Sequence, residues 1–301
     1  MKTNQLFKML PAFLVVITFG LYSCNNENDS AINGEGQFRL NITDAPIDEE
    51  GITGVFVTFT GIEYQKDDGP WVRAEEFEGP ITINLLELQN GRTTLMGDFS
   101  AGSGNYTGLR FMLDAPSLGR DGSNPGCFVE FEDGRRVPLF VPSGAQTGYK
   151  AKGTFSVPVN GNVEITADFD LRKSVTRAGN SGRYILKPTI RIIANNESGT
   201  IQGTISNRQA ETGYVVFLYE TGTYSESESA DPAEGESRFP NAVSSTAVEA
   251  NGDFRLAFIG AKTYDLVIAA VDSKGIPTVI KIVPEVTVKS REITSITIAL
   301  N

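Results

Sequence analysis

The chain has 301 residues and a formal net charge of −11, with 37 acidic against 26 basic side chains and no histidine. Acidity on this scale repels phosphate backbones and argues against nucleic-acid binding. The missing histidine removes the commonest general base and metal ligand, and with them the Ser-His and Cys-His nucleophile pairs.

Lys2 and Lys8 precede an apolar run over residues 9–22, interrupted by Pro11 and Thr18. A bilayer-crossing helix needs about 20 apolar residues, so the run predicts a secretory signal. It ends at Leu21-Tyr22-Ser23-Cys24, which resembles the lipobox of bacterial lipoproteins, although Tyr22 departs from the small or aliphatic residue usual there. The resemblance implies removal of residues 1–23 by cleavage between Ser23 and Cys24. It also implies a diacylglycerol on the Cys24 sulfur and an acyl chain on the new amine. Two or three chains anchor a protein firmly where one holds only marginally. The alternative is an ordinary signal peptide with an incidental cysteine. Asn25 replaces the aspartate that retains many lipoproteins on the inner membrane, so the expected address is the outer membrane, on its periplasmic face or the cell surface. Residues 24–35 are polar apart from Ile32, too little apolar surface to fold. They predict a flexible tether.

From residue 36 onward, Gly (31 in the chain) and Pro (14) punctuate short alternating runs, the pattern of an all-β chain. Phe38, Leu40 and Ile42 alternate, as do Val55, Val57 and Phe59. Leu85–Gln89 is the one helical candidate, about a turn and a half long. Val163, Ile165, Ala167, Phe169 and Leu171 predict one face of a long strand, with Glu164, Thr166, Asp168 and Asp170 on its solvated face. A further strand over residues 184–193 contains Pro188, which assigns part of it to an edge or a bulge. Turn residues at Asp67-Asp68-Gly69-Pro70, Asn160-Gly161 and Asn251-Gly252 fall between the runs. Acidic, serine-rich residues 220–237 predict a long disordered loop between two strands. A polar linker is expected at 195–199, so that residues 36–194 and 200–301 form two β-sandwich domains of Ig-like or transthyretin-like type, the second able to fold alone.

Residues 36 to about 194 resemble the bacterial domain of unknown function 4382, common in envelope lipoproteins. The carriers are Leu40-Asn41-Ile42-Thr43-Asp44-Ala45-Pro46, Val55-Phe56-Val57-Thr58-Phe59, Trp71, Ile83-Asn84-Leu85-Leu86, Gly104-Asn105-Tyr106 and Gly182–Pro188. That resemblance implies an envelope protein and supplies no catalytic residue. Residues 199–301 are similar to the carboxypeptidase-regulatory, transthyretin-like sandwich. There the carriers are Gly199-Thr200-Ile201-Gln202-Gly203, Asn251-Gly252-Asp253-Phe254 and Tyr264–Ala270, with Lys262-Thr263 in a turn often glycine in that family. It implies a spacer or adhesive unit.

Candidate site residues are few. Asp44 and Asp114 both stand in Asp-Ala-Pro at strand ends. An aspartate there accepts bonds from nearby amides and organises the exit of the strand. With Asp48, Glu49 and Glu50 near Asp44, a calcium loop is the alternative, but no Asp-x-Asp-x-Asp-Gly motif is present. Trp71, the sole tryptophan, is a candidate glycan contact or a core-edge ring. Strand alternation places it with Arg73 rather than Val72. Cys127 shares an apolar face with Val129 and Phe131, opposite Glu130 and Glu132, and reads as inert packing. Glu164, Asp168 and Asp170 would be the carboxylates of a histidine-free glycan hydrolase, the alternative to a non-catalytic chain. The expectation is a lipid-anchored binding, adhesion or structural module. It needs no cofactor beyond the lipid on Cys24 and no metal, and its partners are the membrane and envelope proteins or glycans.

Overall fold

The structure is a computed structural model that describes residues 34–45, 51–114, 126–142, 147–178, 182–233, 235–273 and 275–300. The first strands in chain order are β1 (Glu35–Ala45), β2 (Ile52–Lys66), β3 (Trp71–Arg73), β4 (Ile81–Asn84), β5 (Thr94–Gly102), β6 (Gly104–Leu113) and β7 (Cys127–Phe131). Next come β8 (Arg136–Phe140), β9 (Tyr149–Ala151), β10 (Phe155–Val157), β11 (Asn162–Asp170), β12 (Val175–Ala178), β13 (Arg183–Leu186) and β14 (Ile190–Ala194). They form a small sheet in the order β14-β11-β1-β5 and a larger one in the order β10-β6-β2-β7-β8-β13-β12, with β3 and β4 on β2 and β9 on β6. The chain is all-β, and these two sheets face each other across one apolar core.

Alternation explains the core. Phe38, Leu40 and Ile42 of β1 lie beside Val163, Ile165 and Ala167 of the parallel β11, and the three β1 side chains are fully buried. On β2 the buried set is Val55, Val57 and Phe59, then Ile62. The change from odd to even positions comes from a bulge between Phe59 and Gly61 in the β2–β6 register, because one extra residue flips every later side chain to the other face. Leu85–Leu88 is a single 3-10 turn with Leu85 and Leu88 buried. Residues three apart eclipse in that helix, so both leucines point into the core.

Two expectations need correction here. The strand expected over 184–193 is two strands, since β13 belongs to the larger sheet and β14 to the smaller. Lys187-Pro188-Thr189 carries the chain between them. Pro188 has no amide proton for either ladder, which suits a crossover better than a strand. The face of β11 expected to be solvated is buried in its second half, with Thr166 at 0 %, Asp168 at 7 % and Asp170 at 8 % exposure.

After a 3-10 turn at Asn195–Glu197 the chain builds a second pair of sheets. Its strands are β15 (Ser198–Ser206), β16 (Gly213–Glu220), β17 (Ser244–Ala247), β18 (Asp253–Gly260), β19 (Thr263–Val271), β20 (Pro277–Thr287) and β21 (Ile293–Ala299). The orders are β18-β15-β21 and β17-β16-β19-β20. Ile201, Ile205, Val216, Leu218, Leu256, Leu266 and Ile268 fill the space between them. A second, smaller cluster of Phe217, Tyr219, Phe239, Ala242, Val267 and Ala269 lies on the opposite face of β16 and β19.

That cluster overturns the expectation of a disordered acidic loop. Glu226–Ser229 is a 3-10 turn, and Glu228 is buried. Its carboxylate accepts from the Tyr219 hydroxyl at 3.0 Å and from the Asn241 amide and side chain, each at 3.1 Å. Phe239 stacks on Phe217 with ring centroids 4.0 Å apart. One phenylalanine and one bonded carboxylate hold a segment whose average composition reads as disorder. Both sandwiches belong to one compact unit, Ile32–Asn301.

Candidate functional site

The end of β1 leads to a buried, bonded polar region. The Thr43 hydroxyl lies 2.8 Å from the Arg92 carbonyl and 3.1 Å from that of Leu88, sharing its proton between them. Asp44, 6 % exposed, accepts from the Leu171 amide through Oδ1 at 3.3 Å. Two neighbouring side chains thus hold two loops, and both loops meet the second sandwich.

Leu171–Ser174 is one helical turn capped by Asp170, which accepts from the Lys173 amide. Arg172 has a side chain of 0 % exposure and pairs with Asp170 at 3.0 Å. Its Nη1 donates to the Arg238 carbonyl at 2.8 Å and to the Phe239 carbonyl, and the guanidinium sits 5.6 Å from the Phe217 ring centre. Lys173 donates to the Ala242 carbonyl at 2.6 Å. Burial pushes its ammonium below the usual lysine range, while Asp170 opposes that shift. Arg172 and Lys173 therefore plug into backbone carbonyls of the segment that closes over the second sandwich.

The other loop carries Asn90 and Gly91, both at positive φ (58° and 75°). Asn90 accepts from the Thr246 hydroxyl at 2.6 Å and donates to Glu249 at 3.2 Å. A Cβ on Gly91 would stand 2.8 Å from the Ala257 methyl. Glycine is thus required for both the turn and the close approach.

The two Asp-Ala-Pro aspartates occupy unlike places. Asp114 follows β6, is exposed, and its amide donates to the Thr58 carbonyl at 2.8 Å. Asp44 is buried between two loops. Trp71 is half-buried opposite Gln65, with the Arg110 guanidinium 4.4 Å and the Lys150 ammonium 5.3 Å from its ring centre. Arg110 also pairs with Glu63. Two cations thus adjoin the ring that a sugar would stack on.

Cys127 is fully buried, and burial pushes its thiol up to about 11. The three candidate hydrolase carboxylates are each held by a donor. Glu164 accepts from Asn41 at 2.7 Å, Asp168 pairs with Arg191 at 2.5 Å, and Asp170 pairs with Arg172. Among the described residues no group of three or more metal-ligating side chains is brought together. Ser23, Cys24 and residues 46–50, which bear on the lipid anchor and the calcium alternative, lie outside the described residues.

Sequence reading did not single out Arg172, Lys173, Asn90 or Phe239. The Asn90-Gly91 pair is a turn signal, and so was findable as a loop. Arg172 and Lys173 act on carbonyls 66 and 69 residues away and Phe239 on a ring 22 residues away, and no local pattern marks such contacts.

No curated protein sequence matches the chain. Among solved structures it is similar to the Bacillus anthracis TIE protein at 10 % identity, covering 88 % of this chain and 34 % of that one, with a TM-score of 0.18. The minor pilin GBS52 of Streptococcus agalactiae gives 13 % identity, coverages of 87 % and 95 %, and a TM-score of 0.20. The major pilin subunit BcpA of Bacillus cereus gives 11 %, 89 % and 99 %, and 0.22. Superposition this loose supports no statement about what the chain does. The family model described as Domain of unknown function (DUF4382) matches residues 35–188. That span starts with β1, takes in the Asp44 strand end and the Arg172 turn, and stops at the Pro188 crossover. The chain belongs to the DUF4382 family.

Proposed function

We propose that this protein is a lipid-anchored lipoprotein of the outer membrane whose two sandwiches act as one binding, adhesive or structural body, without catalysis of their own. The joint carries this reading. Two loops held by Thr43 and Asp44 lock the sandwiches together through Asn90 and a fully buried arginine, so the two move as one body and present one surface. The carboxylates that would serve a hydrolase are taken up by Asn41, Arg191 and Arg172. The anchor is Cys24, behind the Leu21-Tyr22-Ser23 boundary, and the polar stretch after it is the leash. Residues 200–301 serve as a carboxypeptidase-regulatory-like spacer or adhesive unit, and the partner is an envelope protein or glycan.

Metabolic labelling with palmitate and membrane fractionation test the anchor. Wild-type protein is expected to take up label and sediment with outer membranes. Cys24→Ala is expected to lose both properties while keeping its melting curve. A wild-type protein that takes up no label overturns the anchor.

A further inference from the structure

Beside the joint, Asn90 of the first sandwich and Glu249 of the second wall a cleft of about 490 Å³. Its volume falls in the range of small-ligand sites, roughly 300–1,000 Å³. The floor is the outer face of β18-β15-β21. Register sets two polar rows across it: Arg255–Gln202–Ser295 and Asp253–Thr204–Thr297. Residues of one row are about 4.8 Å apart from strand to strand, and the rows lie two residues, roughly 6.6 Å, apart. This is a regular grid of amide, hydroxyl and charged groups.

Much of that bonding capacity is unspent. Among the described residues Arg255 donates through Nη1 alone, toward Gln202 at 3.3 Å, and Thr204 donates to Asp253 at 2.7 Å. Among the described residues, the Gln202 amide nitrogen, the Ser295 and Thr297 hydroxyls and the second Glu249 oxygen have no hydrogen-bond partner. A second groove, of about 510 Å³ on the small sheet of the first sandwich, differs in this respect. Its Arg39 is spent bidentately on Asp98, at 2.7 and 3.0 Å, and its Glu164 on Asn41. Gln37 and Asn162 are the uncommitted amides of that groove, whereas the cleft at the joint adds two hydroxyls and a carboxylate oxygen to its amide, the more varied set of donors and acceptors.

We propose that this cleft binds a short neutral glycan segment, a deepening that rests on the binding reading above. A floor of polar side chains does not suit an apolar ligand, which would leave them desolvated and unpaired. Hydroxyl groups donate and accept at once, matching the alternation of Gln202, Ser295, Thr297 and Glu249. Glu249 and Asp253 outnumber Arg255, and the chain as a whole is at −11, so uronates and other acidic sugars are repelled. Asn90 makes the site dependent on both sandwiches.

An array of neutral and acidic oligosaccharides, probed with the full chain, provides the test. Wild type is expected to bind neutral glycans and to ignore acidic ones. Gln202→Ala removes a donor, and Ser295→Phe fills the floor without breaking any bond that Ser295 makes. Each is expected to weaken binding about tenfold or more with unchanged melting, while Trp71→Ala leaves it intact. Binding that both cleft variants retain, or that Trp71→Ala abolishes, overturns the assignment. So does a wild type that binds no neutral glycan or prefers acidic ones. Palmitate labelling of Cys24 is read separately, so failure here leaves the anchor standing, and failure there leaves the cleft.

Discussion

Asp44 shows what a single side chain contributes. Its Oδ1 accepts from the Leu171 amide, which holds the start of the helical turn that reaches the second sandwich. Asp44→Ala leaves that buried donor unpaired and is expected to cost about 1–3 kcal/mol. Asp44→Asn keeps an acceptor oxygen and is expected to cost less. Calcium is expected to move none of the three melting curves. Stabilisation by calcium that both substitutions abolish would assign Asp44 to a metal instead. Cys127 gives a second test at this scale. A thiol with its pKa near 11 and no exposure carries little thiolate at pH 8. Iodoacetamide is therefore expected to label Cys127 in denaturant only, and peptide mass mapping that finds the adduct on native protein would contradict the packing.

Among the elements, the Leu171–Ser174 turn has the largest effect for its length. Four residues deliver Arg172 and Lys173 to three carbonyls of the 238–242 segment. A buried arginine adds little over a well-packed apolar side chain while it is paired, but removing it strands its partners. Arg172→Ala leaves Asp170 and the Arg238 and Phe239 carbonyls uncompensated, and is expected to cost about 3–5 kcal/mol. Chemical denaturation of the variant measures this. A loss under about 1 kcal/mol would mean that water replaces the guanidinium at the joint. The acidic segment is the counterpart of this turn, since Phe239 and Glu228 fold it down where Arg172 can meet it.

For the whole molecule, the joint predicts coupled unfolding. Both loops from the first sandwich end in polar bonds to the second, so neither sandwich loses its structure without exposing buried groups of the other. Calorimetry on the full chain is expected to show one cooperative transition, and Arg172→Ala is expected to split it in two. Residues 198–301 expressed alone are expected to melt cooperatively, with a core of their own in Ile201, Val216, Leu256 and Leu266, but below the temperature of the intact chain. Two well-separated transitions in wild type would show that the joint transmits no stability.

Local pattern determined much of this protein. Period-two alternation located β1, β2 and the inner face of β11, because a strand buried on one face repeats every two residues. Asn-Gly and Asp-Asp-Gly pairs located turns, because few other residues tolerate positive φ. The Leu21–Cys24 boundary supplied the expected address without reference to any fold. Tertiary structure decided the rest. Which sheet takes each half of the segment around Pro188 depends on partners more than 20 residues away. The second half of the polar face of β11 is buried, with Thr166 and Asp168 taken up by Asn195 and Arg191, partners more than 20 residues further along the chain. The acidic segment folds because one phenylalanine finds Phe217 and one glutamate finds Tyr219. Burial of a polar residue is a property of its neighbours in space, which alternation along one strand does not encode.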